Sequence, residues 1–171
     1  MKKNKENLEK LIKGRKKINP PGLDYFLENI VYPYYPRMKT ISMIDYADRV
    51  FSEFVRLSEA NDQGMVQCIT CWEWFFRTDI QNGHYKKRSS YKYRFDTANC
   101  HWQCPKCNVF LCGNYRNYHI RMVKTYGEET ERRIREDNST KKLLDYDLIQ
   151  NCVEWHKKNQ EKLKIIEQNT R

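Results

Sequence analysis

The fold is decided by residues 68–108, which read CITCWEWFFRTDIQNGHYKKRSSYKYRFDTANCHWQCPKCN. This stretch opens with the pair Cys68-x-x-Cys71 and closes with the pair Cys104-x-x-Cys107. Four thiolates at this spacing can close a tetrahedron around Zn²⁺, and no open coordination position then remains for chemistry. We therefore predict a structural zinc site, so that any reaction must be carried out by other residues.

Three polar residues lie between or beside these cysteine pairs. His84 follows Gly83, Asn99 comes midway, and Asn108 directly follows the last cysteine. This is the order of the His-Asn-His/Asn nuclease motif. The pattern indicates a nuclease in which zinc holds the structure and these three side chains form the catalytic group.

The chemistry of phosphodiester hydrolysis suits these residue types. A neutral imidazole with a pKa near 6.5 can accept the proton of an attacking water near pH 7, which makes His84 the candidate general base. The amide oxygen of Asn108 is a candidate ligand for a hard cation such as Mg²⁺ or Mn²⁺, which would stabilise the charge that develops on the phosphate. Asn99 is expected to bond backbone groups across the hairpin loop and keep the His84 ring oriented.

Positive charge is concentrated around this motif. The chain has a net charge of +10, and from His84 to Tyr126 nine lysines and arginines face a single acid, Asp96. Tyrosines are interleaved with these cations, a combination that suits a phosphate backbone and unpaired bases. A solvated basic surface is the alternative reading. The candidate DNA-contacting residues are Lys86, Lys87, Arg88, Arg94 and Arg116.

Length and composition set the broader frame. At 171 residues, one compact domain with appendages is expected. The basic N-terminus lacks an apolar signal region and no apolar run is long enough to cross a bilayer, so we expect a cytoplasmic protein with no membrane partner. Two C-x-x-C pairs favour metal-bound thiolates in a reducing compartment. The remaining cysteines, Cys100, Cys112 and Cys152, are expected to be buried apolar residues.

The chain divides into four predicted parts. Residues 1–40 form a basic arm rich in proline and tyrosine, residues 41–63 a packing helix, residues 64–127 the zinc-stapled core, and residues 128–171 a helical extension. The apolar stripe of the last helix would serve equally for packing on the core or for a homodimer. The predicted fold class is α+β, with helices on both sides of the core.

Local signals predict the individual elements. Ser42-x-x-Asp45 resembles a capping box that opens the packing helix, and Gly64 is expected to end that helix. Pro105 is suited to the first turn of a short helix, and Asn114 is expected to cap the helix that follows. Short strands are predicted around residues 66–69 and 75–80 and over 91–95, the short helix over 105–112, and longer helices over 115–126 and around 148–166.

A specific resemblance covers about half of the chain. The residues Gly83-His84-Tyr85, Arg94-Phe95, Asn99-x-His101-x-Gln103-Cys104-x-x-Cys107-Asn108, Gly113-Asn114 and Tyr118 resemble the NinG family of bacteriophage recombination proteins, also called Rap. The resemblance also takes in the helix over residues 46–56 and reaches about Ile134. It implies a ββα-metal (His-Me finger) endonuclease that acts on branched DNA such as D-loops or Holliday junctions, with other recombination proteins as candidate partners.

One departure bears on the catalytic metal. Many related nucleases place an Asp or His directly before the catalytic histidine as a second metal ligand, whereas this chain has Gly83. Either Asn108 holds the metal with phosphate oxygens and waters, or Asp79, Gln81 or His101 supplies the second ligand. Two other functions stay open, a zinc-stabilised DNA-binding module without cleavage and an adaptor for a recombination complex.

Overall fold

The structure, a computed structural model, describes residues 43–141, 143 and 145–169. The predicted basic arm and the Ser42 end of the predicted capping box lie outside the described residues. Within them the protein is α+β, with four longer helices, one short π-helix and two small antiparallel sheets. The elements are α1 (Met43–Ser58), β1 (Met65–Gln67), β2 (Trp74–Phe76), β3 (Gln81–His84), β4 (Cys100–Gln103), the π-helix (Lys106–Phe110), α2 (Tyr115–Tyr126), α3 (Glu128–Glu136) and α4 (Asp145–Asn169).

The first and last helices pack against each other. Apolar residues recur on α1 at helical spacing, and this face is buried against α4. Phe51 of α1 lies 4.7 Å from Trp155 of α4, measured between ring centroids. The buried residues of this cluster are Tyr46, Ala47, Val50, Phe51, Val55, Cys100, Leu148, Ile149, Cys152 and Trp155. The apolar stripe of the last helix therefore packs on the core, one of the two uses left open by the sequence.

The central hairpin joins β3 and β4. These strands are antiparallel, with Gln81 opposite Gln103, Gly83 opposite His101 and His84 opposite Cys100. The π-helix follows β4 directly, and Pro105 precedes it with helical backbone angles, as expected of a proline at the start of a helix. His84 thus ends one strand, and Asn108 lies on the helical turn that follows the other.

The predicted strand over residues 91–95 is wrong. This segment is a series of turns, in which the Tyr93 amide donates to the Ser90 carbonyl at 3.0 Å and the Asp96 amide to the Tyr93 carbonyl at 3.3 Å. Tyr93 is buried, and its hydroxyl donates to Asp137 at 2.7 Å. Side-chain anchors on distant elements hold the segment in turns, which the local β propensity does not register.

Two predicted helix ends also differ. The first helix ends at Ser58 rather than at Gly64, because the Asn61 side-chain oxygen accepts bonds from the amides of Gln63 and Met65 and forms a loop there. Asn114 precedes α2 as predicted, but its side chain donates to the Cys107 sulfur instead of capping the helix. Among the described residues, no helix is long and apolar enough to cross a membrane.

Candidate functional site

The two cysteine pairs converge in space. The sulfur atoms of Cys68, Cys71, Cys104 and Cys107 all lie within 4.8 Å of one another. Those of Cys71 and Cys104 are 3.8 Å apart. A tetrahedron with zinc–sulfur bonds of about 2.3 Å has sulfur–sulfur edges of about 3.8 Å, so the cluster fits Zn²⁺. The four cysteines would hold the ion and fix the loop between β1 and β2 to the end of the central hairpin.

Hydrogen-bond donors lie beside two of the sulfur atoms, and at Cys68 they favour the thiolate. The amide of Cys104 lies 3.3 Å from the Cys68 sulfur, and the amide of Cys107 lies 3.4 Å from the Cys104 sulfur. The Thr70 hydroxyl also lies 3.3 Å from the Cys68 sulfur. Burial alone would raise the pKa of Cys68, but these hydrogen bonds outweigh it and lower the pKa to about 7. Donors around a thiolate also orient it as a ligand.

His84 is fixed by one of its two ring nitrogens. Its Nε2 lies 3.2 Å from the Arg94 carbonyl oxygen, and because a carbonyl only accepts, Nε2–H is the donor. The neutral ring then carries its lone pair on Nδ1. Burial lowers the pKa of His84 below its usual 6.5, an effect only partly opposed by the bond to Arg94 and by the charge of Asp48. The imidazole is therefore neutral and able to accept a proton at pH 7.

Asn99 holds the loop that follows His84. The Asn99 side chain is fully buried, its Oδ1 accepts from the Lys86 amide at 2.6 Å, and its Nδ2 donates to the carbonyls of Lys86 and Tyr93 at 3.1 and 2.9 Å. These are the bonds across the hairpin loop that the sequence led us to expect. Every polar group of the amide is used within the protein, so Asn99 shapes the loop between β3 and β4.

Asn108 faces the opposite end of β3. Its Nδ2 donates to the Gln81 side-chain oxygen at 2.7 Å, and its side chain is half-buried. With the nitrogen engaged, the Asn108 Oδ1 is the atom able to bind a cation, and an amide oxygen is a donor that Mg²⁺ and Mn²⁺ accept. Among the described residues, the four cysteines form the only cluster of at least three His, Cys, Asp or Glu. The pairing of Asn108 with phosphate oxygens and waters, or with Asp79 or Gln81, stays a prediction.

The space beside Gly83 is filled by Gln103. A Cβ at position 83 would lie 2.4 Å from the Gln103 Oε1 and 2.9 Å from the Gln103 Cβ. Gln103 is fully buried, and its Nε2 donates to the Gly113 carbonyl at 2.7 Å. No side chain can occupy position 83 without displacing Gln103. Of the other second ligands considered, His101 is committed to Tyr118 and Tyr126 through hydrogen bonds of 2.9 and 2.8 Å, and it is buried.

Arg94 is an internal residue of the site. It is only 9% exposed, and its guanidinium binds Asp48 of α1 through two hydrogen bonds of 2.9 and 2.5 Å. The same residue supplies the carbonyl that accepts from His84. Its guanidinium is thus engaged within the protein, and its structural role is to tie the loop that follows His84 to α1. Sequence reasoning placed Arg94 among the DNA contacts and missed Asp48, which lies 46 residues away along the chain.

The other candidate DNA-contacting residues differ in exposure. Lys87, Arg88 and Arg116 are exposed, although Arg88 also lies 3.8 Å from Asp48. Lys86 is half-buried, and its ammonium donates to the Arg135 carbonyl at 3.0 Å. Three of these side chains, Lys86, Lys87 and Arg88, follow His84 directly in the chain, so a cationic surface adjoins the histidine.

A buried carboxylate behind His84 was also missed. Glu131 of α3 is 2% exposed and accepts from the Tyr85 hydroxyl and, at 2.8 Å, from the Arg135 guanidinium. Burial would raise the pKa of Glu131, but hydrogen bonds from Tyr85, Arg135 and His119 lower it, so the carboxylate is ionised. The network fixes the residue next to His84 onto α3. The sequence signal for Glu131 is indirect: its partner Tyr85 directly follows His84.

The predictions for the remaining cysteines have different outcomes. Cys100 and Cys152 are buried in the core, as predicted, whereas Cys112 is exposed. Cys112 lies in the turn after the π-helix with a φ of +48°, a conformation that belongs to a surface turn.

Comparison with known proteins gives one match. A family model described as Bacteriophage Lambda NinG protein matches residues 37–169, which is more than half of the chain. The matched range includes α4, beyond the part of the chain that carried the resemblance. No curated protein and no solved structure matches.

Proposed function

The chain belongs to the NinG family over residues 37–169, and from this premise we propose that it is a metal-dependent endodeoxyribonuclease of the His-Me finger type. The proposed substrates are branched recombination intermediates such as D-loops and Holliday junctions. The observation that carries the proposal is the state of His84. The ring is held by Arg94, kept neutral by burial, and placed at the end of a hairpin that is followed by the helical turn bearing Asn108.

The proposed reaction begins with a water near His84. The Nδ1 lone pair accepts a proton as the water oxygen forms a bond to phosphorus. The bond from phosphorus to the 3′ oxygen then breaks, and the departing oxygen takes a proton from solvent. Because Nε2–H remains bonded to the Arg94 carbonyl, the positive charge that forms on the ring is partly stabilised by that oxygen dipole.

Asn108 is the proposed ligand of the catalytic cation. A bound Mg²⁺ or Mn²⁺ would supply Lewis-acid stabilisation of the charge on the phosphate and leaving oxygen. Gln81 accepts from the Asn108 nitrogen and thereby directs the amide oxygen away from β3. The zinc cluster supports this arrangement, because Asn108 directly follows the ligand Cys107 and its amide donates to the Cys104 carbonyl at 2.8 Å.

The cationic surface supports DNA as the substrate. Lys87, Arg88 and Arg116 are exposed and can bind backbone phosphates, a contribution that falls with added salt. Arg94 is left out of the phosphate-binding set because its guanidinium binds Asp48. We propose cytoplasmic action on DNA of the infected cell, in keeping with the phage family.

The proposal is tested by strand scission. Purified protein is incubated with a labelled four-way junction, a D-loop and a linear duplex, each with Mg²⁺, with Mn²⁺ or without divalent cation, beside the His84→Ala protein. Metal-dependent nicking of the branched substrates that disappears in the variant is the expected result. Tight binding with no cutting by either protein would instead make the chain a zinc-stabilised DNA-binding module.

A further inference from the structure

A pocket opens next to the candidate catalytic histidine. It has a volume of 480 Å³, within the range of roughly 300–1,000 Å³ that is usual for small-ligand sites. One wall is the loop that begins at Tyr85, directly after His84, and the other comes from Tyr115 at the start of α2 and from the segment that begins at Arg135. Consecutive Cα atoms lie about 3.8 Å apart, so the pocket begins one residue along the backbone from His84, which does not itself line it.

The charge of the pocket selects anions. Lys86, Lys87 and Arg135 line it together with hydroxyl side chains, and none of its lining residues is acidic. The nearby carboxylate of Glu131 is buried and bound by Arg135 and Tyr85, so its charge is already compensated. The Lys86 ammonium is held in place by the Arg135 carbonyl and by the Asn138 side chain, at 3.0 and 3.4 Å.

Aromatic side chains line the same pocket. Tyr91 is 48% exposed and Tyr115 is 46% exposed, although both are large residues with apolar rings. The Tyr115 ring also lies 6.1 Å from the ring of Tyr85, which is buried behind it. Exposed tyrosines among lysines are the combination that binds single-stranded nucleic acid, because bases stack on the rings while cations bind the phosphates.

We propose that this pocket binds one unpaired nucleotide of the DNA substrate. The phosphate of that nucleotide contacts Lys87 and Lys86, and its base stacks on Tyr91 and Tyr115. The inference rests on the proposed nuclease function and deepens it, because it gives a physical reason for a preference for branched DNA. Branch points contain bases that leave the stack at low cost, whereas an intact duplex must first be unpaired to fill the pocket.

The first test measures DNA binding without cleavage. The His84→Ala protein, with no added divalent cation, is titrated with a duplex carrying one unpaired nucleotide and with the same duplex lacking it. We expect about tenfold tighter binding of the first DNA, the size of effect that one stacked base gives. Adding the Tyr91→Ala and Tyr115→Ala changes together should abolish this preference, whereas Trp74→Ala, an equally exposed aromatic on β2 outside the pocket, should preserve it.

The second test identifies the ligand chemistry. Thymidine monophosphate, thymidine and inorganic phosphate compete against the unpaired-nucleotide DNA, and the monophosphate should compete best. Lys87→Ala should weaken competition by thymidine monophosphate. Lys157→Ala, a change at an exposed position of α4, should leave that competition unchanged. Zinc content and circular dichroism confirm that each variant is folded.

The results of these tests distinguish failure of the proposed nucleotide pocket from failure of the proposed nuclease activity. A preference that survives the double tyrosine change, no preference at all, or competition by phosphate as strong as by the monophosphate would each overturn the proposed nucleotide pocket. Because binding is measured in a protein that lacks His84, these results do not depend on cleavage. Absence of cleavage in the wild type would overturn the nuclease proposal while leaving this binding result intact.

Discussion

At position 83, the lack of a side chain leaves room for Gln103 in the hairpin that carries His84. The resemblance led us to expect an Asp or His at this position, but here the Gln103 side chain takes up the space. Gln103 is fixed from the other side by its bond to the Gly113 carbonyl. The glycine is therefore a packing requirement of this hairpin, and the proposed catalytic cation would be held without a ligand from position 83.

This packing gives a prediction about stability. Gly83→Ala should lower the free energy of unfolding by about 1–3 kcal/mol, the usual cost of forcing a methyl group into a filled core. In a Gln103→Ala background the same change should cost much less, because the clashing side chain is gone. Urea unfolding of the zinc-bound proteins measures this coupling. If the losses of unfolding free energy from Gly83→Ala and Gln103→Ala simply add in the double variant, the two positions are not in contact.

His101 gives a pH dependence of stability. Burial lowers its pKa to about 4, whereas an unfolded histidine titrates near 6.5, so the unfolded chain binds the extra proton between these values. Stability contributed by the neutral His101 is therefore lost as pH falls from about 6.5 towards about 4.

A comparison of the wild type with a His101 variant cancels the effect of acid on the zinc ligands, which both proteins share. Between pH 7 and pH 5, the wild type should lose about 2 kcal/mol more unfolding free energy than His101→Gln, because the cysteines are common to both proteins. Equal losses in the two proteins would show that His101 is not buried as a neutral ring.

At the scale of elements, Asp48 of α1 reaches the loop that follows His84 through ion pairs with Arg94 and Arg88. Asp48 binds the guanidinium of Arg94, whose carbonyl accepts from His84. On the other side of the loop, Lys92 and Tyr93 bind Asp137, just beyond α3. The loop between β3 and β4 is thus positioned by two helices that are distant from it in sequence.

Breaking the α1 contact should affect both stability and catalysis. Asp48→Ala leaves a buried guanidinium without its carboxylate and should cost about 3–5 kcal/mol of unfolding free energy. The charge of Asp48 also raises the pKa of His84, so its removal should move the acid limb of the cleavage rate to lower pH. Glu59→Ala, an exposed carboxylate just after α1, is the control and should change neither. If the acid limb of the Asp48→Ala protein stays at the pH of the wild type, Asp48 does not act on the pKa of the catalysing group, which contradicts the proposed coupling to His84.

The sequence predicted those elements that have local signals. The two C-x-x-C pairs, the short helix started by Pro105 and the helix ended by Gly127 each carry their determinant within a few residues, whereas β3 (Gln81–His84) falls outside the strands predicted at 75–80 and 91–95. The turns at 91–95 could not be predicted, because Asp48 and Asp137 hold them from more than 40 residues away. The same reason explains why Arg94 was interpreted as a DNA contact and why Glu131 was missed.

At the scale of the whole molecule, the cysteine cluster joins segments that are far apart in sequence. Cys68 and Cys71 lie in the loop between β1 and β2, while Cys104 and Cys107 follow the central hairpin. Residues from α4 reach the same region, since Ile166 is buried with Leu57, Val66 and the zinc-ligand cysteines. Metal binding is therefore coupled to folding of the whole core.

Loss of one ligand should unfold this core. Cys104→Ser should lose zinc and the cooperative unfolding transition, because the remaining thiolates no longer close the tetrahedron. Cys112→Ser makes the same chemical change at an exposed cysteine outside the cluster and should leave both zinc content and melting unchanged. Zinc content by mass spectrometry and thermal melting measure the two effects. A stable, cooperatively folding, zinc-free Cys104→Ser protein would contradict the structural role of the metal.

The central claim is that His84 is the general base of a metal-dependent nuclease. Its most direct test is the single-turnover cleavage rate of a four-way junction by wild type and His84→Ala, with zinc content and DNA affinity measured on the same preparations. We predict that the cleavage rate of His84→Ala is lowered about 10²–10⁴-fold, with zinc content and DNA affinity unchanged. An unchanged rate in His84→Ala would contradict it.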